Sequence, residues 1–213
     1  MAAEGYVTMR PGELATGEFE DRRSRFIAQL VHADTEEAAA EHIAAVRARR
    51  YDARHNVPAW ILADGRERAS DDGEPQRTSG MPTLEVLRGA GLRDVCCVTT
   101  RYFGGVLLGP GGLVRAYTAA AQAAVEAARD AGQLVEMTSV VPVDVDVSYP
   151  DYQRVLDLAE RAGAHVAGTD YTDAVCLHLI FRAGEEQSFL GALRELLSGR
   201  DAARVGAPRF AEF

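Results

Sequence analysis

The sequence contains no lysine; all 23 of its basic residues are arginine. That absence removes whole mechanisms, since no lysine Schiff base can form and no P-loop lysine can reach a phosphate. It says nothing about partners, because a GC-rich genome favours arginine codons. Cysteine is scarce as well. Cys96, Cys97 and Cys176 form an odd, unpatterned set that fits a reducing compartment. Adjacent residues of a strand point to opposite faces, so Cys96 and Cys97 cannot share one zinc ion, and buried inert thiols are expected there. No apolar run approaches the roughly 20 residues of a membrane-spanning helix. Met1 to Glu20 shows no basic start followed by an apolar stretch, so neither a membrane span nor a secretory leader is expected, and the protein reads as cytoplasmic. Excess positive charge is missing too. The formal net charge is −9, with the acidic surplus shared by both halves, so neither half is a basic nucleic-acid module by charge alone. A local arginine patch is still compatible with RNA.

What is present suffices for a sizeable core: 213 residues, 47% hydrophobic, in one large or two small domains. Leu14 to Asp21 and Arg25 to His32 read as two strands joined through Arg22 and Arg23. Asp34, with Glu37 three residues on, reads as the capped start of a helix. Asn56 to Leu62 reads as a strand, and Pro58 suggests an edge position or an irregular start. Ala63 to Gly80 is a long polar loop, a length that is usually functional or disordered. Pro82 opens a short helix. Val95 to Thr100 is apolar on both faces, as in a central strand. Leu113 to Ala131 carries helical spacing. From about Val140 the pattern changes to strand, helix, hairpin, helix and a last strand from Arg204 to Phe210, the split βαβ order.

"TTRYFGGVLLGPGGLVRAY" (Thr99 to Tyr117) joins the central strand to that long helix. Ligand sites favour such a place, because the N–H groups of a helix start point outward and its dipole favours anions. Arg101 ends the strand, and Arg115 stands near the first helical turn, where a cation makes more sense beside an acid or a bound anion. The alternative is that the glycines only let helix and strand pack, with the two arginines neutralising Asp71, Asp72 or Glu74. No Lys-Ser/Thr follows, so this is no P-loop, and Gly109-Pro110-Gly111 lacks the third glycine of a dinucleotide fingerprint. "SDDGEP" (Ser70 to Pro75) offers three carboxylates that suit Mg²⁺ or, equally, a solvated turn or partners for arginine. His55 reads either as an acid/base or phosphate contact, or as structural. A Ser79, His55, Asp52 triad is set aside, since no nucleophile elbow surrounds Ser79. His32, His42, His165 and His178 are scattered and need only surface or core-edge roles.

Taken together, "SRFIAQL", "DARHNVPAWI", "SDDGEPQRTSGMP" and "VTTRYFGGVLLGPGGLVRAY", in this order and spacing, resemble the YigZ/IMPACT family, as a bacterial two-domain member. The resemblance implies an α+β fold of two domains. Residues 1–137 would form an Impact-type, ribosomal-protein-like two-layer α/β sandwich similar to domain IV of elongation factor G. Residues 138–213 would form a ferredoxin-like βαββαβ domain similar to that factor's domain V. Those folds are shared with ribosome- and RNA-contacting proteins, and eukaryotic relatives regulate translation under stress by competing for a scaffold protein. The expected role is a non-enzymatic regulator or binding protein associated with translation, its partner an RNA, the ribosome or a translation-related protein. No cofactor, catalytic residue, membrane partner or DNA sequence specificity is expected. The alternative is a Mg²⁺-dependent enzyme or sensor that binds a phosphorylated small molecule at the glycine segment. The candidate binding residues are Arg54, His55, Asp71, Asp72, Glu74, Arg101, Gly104, Gly105, Gly109, Gly111, Gly112 and Arg115.

Overall fold

The computed structural model describes residues 5–213; the first four residues of the stretch read for a leader lie outside them. The fold is α+β and divides into two compact units, Tyr6–Val135 and Gly5 with Glu136–Phe213.

The first unit is built on a five-stranded antiparallel sheet. β1 (Tyr6–Met9) stands outside it. The sheet contains β2 (Leu14–Asp21), β3 (Ser24–His32), β4 (His55–Ile61), β5 (Glu67–Ala69) and β6 (Val95–Tyr102), in the order β2-β3-β6-β4-β5. β6 is central because nearly every side chain along it is apolar or small, and both its faces are covered. Cys97 packs with Phe26, Ala116 and Tyr117 on one face, while Cys96 and Val98 pack with Ala39, Val46 and Trp60 on the other. α1 (Glu36–Arg49) covers the second face, and α2 (Gly80–Gly89) and α3 (Gly109–Asp130) cover the first. Burial pushes the Cys97 thiol up to about 12 and the Cys96 thiol further, so both stay protonated and inert.

Several expectations change. The cap of α1 is Thr35, whose Oγ1 accepts the Ala38 N–H at 3.2 Å, one residue later than the Asp34 start. Pro58 does not mark an edge: β4 runs between β6 and β5. The reason lies in the direction of its backbone groups. The Pro58 carbonyl accepts the Ser70 N–H at 3.1 Å, on the side of short β5, so its missing N–H falls at that strand's end and leaves the β6 ladder whole. The polar loop after Ala63 contains β5, and β1 escaped the pattern reading altogether.

The second unit has the ferredoxin-like order. It runs through β7 (Leu134–Val147, whose first two residues lie in the first unit), α4 (Tyr149–Arg161), β8 (His165–Tyr171), β9 (Val175–Arg182), α5 (Glu186–Leu196), β10 (Ala203–Val205) and β11 (Arg209–Glu212). β9 lies between β7 and β8, and β7 also receives β10 and β11, all antiparallel. Alternation along β7 and β9 buries Val141, Val143, Val145, Leu177 and Leu179 beneath α4 and α5. The single last strand expected from Arg204 to Phe210 is two short strands. The break falls at 206–208, where the Gly206 N–H turns to the Pro142 carbonyl. On the opposite face, His178 bridges Asp144 (2.7 Å) and Asp170 (3.0 Å) across three strands, and those carboxylates hold its imidazole above its ordinary value.

Candidate functional site

Strand register sets the site. Phe26, Arg101 and His55 lie opposite one another on β3, β6 and β4, so all three project from the same face of the sheet. That face meets the start of α3. Arg101 is 7% exposed and donates from Nη1 to both oxygens of Glu74, at 2.7 and 2.9 Å. Its guanidinium lies 5.5 Å from the Phe26 ring centroid and 5.6 Å from that of Phe103. The Tyr117 hydroxyl donates to Glu74 Oε1 at 2.9 Å, and burial together with that carboxylate drives its ionisation far upward. His55 Nδ1 stands 2.8 Å from the Asp72 carbonyl, which can only accept, so Nδ1 carries the hydrogen. His55 Nε2 then faces Glu74 Oε1 at 4.0 Å.

The loop "SDDGEPQRTSG" is pinned from inside. Asp71 accepts from the Arg77, Ser79 and Gly80 N–H groups and from Ser79 Oγ, which ties the loop to the uncapped start of α2. Burial alone would raise the Asp71 carboxyl; the Arg77 and Gly80 N–H groups and Ser79 outweigh it and hold it below the ordinary range. Asp72 accepts from the Asn56 N–H (2.7 Å) and from Arg47 Nη2 (2.6 Å). Two non-glycine residues of this loop, Asp72 (φ 45°) and Arg77 (φ 62°), hold left-handed backbone. So do both residues of the β2–β3 turn, Arg22 (φ 47°) and Arg23 (φ 65°), where Asn-Gly is the relaxed choice. Strain of this kind persists only where the surroundings fix it, and it concentrates at functional sites.

The glycine segment closes the site. Gly104 sits so near the Arg23 backbone that a Cβ would fall 2.1 Å from its carbonyl carbon, and Arg22 Nη1 donates to the Leu107 carbonyl at 3.3 Å. Gly105 and Gly109 have φ of +84° and +73°. Gly112 abuts Leu108, while Gly111 is open except for Arg115, whose Nη1 would lie 3.7 Å from its Cβ. Arg115 itself stands in the second turn of α3, not the first, and folds back toward the helix start.

A cavity of about 330 Å³ results. Of the residues singled out from sequence, Arg54, His55, Glu74, Arg101 and Gly109 line it, with Phe103, Leu107, Leu108, Pro75, Pro110 and Leu113. Asp71, Asp72, Gly104, Gly105, Gly111, Gly112 and Arg115 do not. Asp71, Asp72 and Glu74 turn to different protein donors, and among the described residues no three His, Cys, Asp or Glu side chains are gathered as metal ligands. Each of the three loop carboxylates is thus already committed to protein donors. Sequence reasoning missed Arg22, Arg23, Phe103, Leu107 and Tyr117. Of these only Tyr117 left a trace, a polar-tipped ring on an otherwise alanine-rich buried face. A larger groove of about 840 Å³ follows α2 and α3, but the ionisable side chains at its edge are all exposed.

Comparison with known proteins is consistent in direction. The model of the Impact N-terminal domain matches residues 22–125, and that of the Domain of unknown function (DUF1949) matches residues 145–200. The chain is 33% identical to the IMPACT family member YigZ of Escherichia coli over 186 residues, 84% of this chain and 88% of that protein. It is 44% identical to the IMPACT family member YvyE of Bacillus subtilis over 114 residues, a match that spans 53% of this chain and 52% of that protein. A solved structure titled as a hypothetical protein aligns with a TM-score of 0.58 at 31% identity, covering 96% of this chain and 97% of that one.

Proposed function

This chain belongs to the IMPACT family, and from that premise we propose that it is a non-enzymatic binding protein of the translation apparatus that contacts RNA, free or in the ribosome. One observation carries the reading: three exposed arginines, Arg22, Arg23 and Arg54, have no carboxylate partner among the described residues. They stand at the same end of the β6 sheet as two exposed apolar side chains, Phe103 (52% exposed) and Leu107 (81%). Guanidinium groups beside an aromatic face suit single-stranded RNA, where phosphates meet cations and unstacked bases meet rings. The likeness to translation-factor domains that the family resemblance implies adds to this. The Mg²⁺-dependent alternative has less support, because all three loop carboxylates already serve the protein.

The test is co-sedimentation with ribosomes at low salt, with filter binding to single-stranded RNA alongside. Reversing charge in the triple variant Arg22→Glu, Arg23→Glu, Arg54→Glu is expected to weaken both by about tenfold or more, because each phosphate contact contributes. All three positions are exposed, so folding is expected to be unchanged. Wild-type protein that binds neither ribosomes nor RNA ends the proposal.

A further inference from the structure

The cavity beside the glycine segment has a division of labour that a merely cationic surface lacks. Its walls are Phe103, Leu107, Leu108, Pro75, Pro110 and Leu113, all apolar. Its polar lining residues are Arg101, His55, Glu74 and Arg54. At about 330 Å³ it is at the small end of ligand pockets, which run from roughly 300 to 1,000 Å³. That is room for one ring-sized group, with the rest of a larger ligand left at the cavity mouth.

Two independent features ask for an acceptor. Arg101 is buried, lines the cavity and uses Nη1 on Glu74, yet its Nε has no acceptor among the described residues. A buried donor left without an acceptor costs about 1–3 kcal/mol, so one that persists calls for a reason. The second feature is the start of α3. It spans 22 residues, has no side-chain cap and no acid in its first turn, and Gly111 leaves its backbone open. Arg115 folds back over that turn and Arg54 lines the cavity beside Gly109 and Pro110. A cation folded back over the positive end of a helix is unfavourable until an anion joins it.

From this geometry we infer that the cavity is a binding site for a single nucleotide. Its base enters the apolar slot against Phe103, with the polar edge toward His55 and Arg101. Its phosphate rests on the first N–H groups of α3 between Arg54 and Arg115. His55 Nε2, with Nδ1 committed to the Asp72 carbonyl, offers a lone pair to a base N–H. The source is either an unstacked or terminal nucleotide of RNA or a free nucleotide. The inference rests on the proposed function only for the first of these.

Calorimetry with nucleoside 5′-monophosphates, inorganic phosphate and a 5′-phosphorylated oligoribonucleotide tests it. The exposed variants Phe103→Ala and Arg115→Ala leave Glu74, Arg101 and Tyr117 themselves unaltered. Phe103→Ala is expected to weaken mononucleotide binding roughly tenfold while leaving inorganic phosphate unchanged. Arg115→Ala is expected to weaken both. An oligonucleotide that competes with the mononucleotide assigns the site to RNA; a mononucleotide that binds without such competition assigns it to a free ligand and counts against the RNA reading. If wild type binds RNA but no mononucleotide, and Phe103→Ala binds RNA as wild type does, the pocket inference is overturned while the RNA reading stands. Failure of wild type to bind any of the three ligands overturns it as well.

Discussion

At the scale of single residues, the site is organised by one buried charge pair. Glu74 and Arg101 have side chains 3% and 7% exposed, and Tyr117 and two aromatic rings complete their surroundings. Burying two charges is costly, and such a pair contributes little net stability against an apolar replacement of similar volume. Removing one partner is a different matter, because the other charge is then stranded. Glu74→Gln and Arg101→Met are each expected to lower unfolding free energy by about 3–5 kcal/mol, while the double variant loses far less than the sum. Urea denaturation of the four proteins in this cycle measures the coupling. Additive losses would show that the two groups do not depend on each other. From sequence, Arg101 and Glu74 were visible only as members of a glycine segment and an acidic run. Their pairing is set by strand register and by a loop held through Asp71, and neither can be read from spacing alone.

At the scale of elements, periodicity reported burial and missed direction. The apolar run at Val95 to Thr100 was legible as a central strand because covering both faces removes alternation, and β6 is covered on both. Alternation along β7 and the helical spacing of α3 were legible for the same physical reason, one covered face. β1 and β5 were not, since strands of four and three residues give too few periods to register. Pro58 misled because its effect depends on which neighbour its nitrogen faces. Element packing also depends on a position that no pattern marks. Gly17 of β2 lies against the backbone of α3, where a Cβ would fall 2.1 Å from the Ala124 nitrogen and 2.5 Å from the Ala123 carbonyl carbon. Gly17→Ala must push strand and helix apart and is expected to destabilise the first unit by about 2–3 kcal/mol. Trp60, the sole tryptophan, is buried between β4 and α1 in that unit and reports its unfolding by fluorescence. Gly191→Ala, in α5 with open space around it, is the control and leaves the Trp60 transition in place. An unmoved transition in Gly17→Ala would refute the close approach.

At the scale of the whole molecule, charge decides what kind of RNA binding the proposed function allows. A net charge of −9 gives no long-range pull on a polyanion, so on the proposed function attraction has to come from the few arginines without a carboxylate partner at the end of the β6 sheet. The second unit adds acid on its open sheet face through Asp144, Asp146 and Asp170. Such a molecule is selective by default, since a nucleic acid gains nothing from touching most of its surface. Counterion release makes this measurable. Each phosphate neutralised on a single strand contributes about −0.7 to the slope of log affinity against log salt. Arg22, Arg23 and Arg54 therefore predict a slope near −2, and Arg115, folded back from the second turn of α3, brings it near −3. Arg54→Ala is expected to reduce the slope by about 0.7, besides weakening the affinity. A slope near zero would mean that phosphates are not touched and would remove the arginines from the interface. A slope far steeper than −3 would require a broad basic face that the distribution of charge along this chain does not supply.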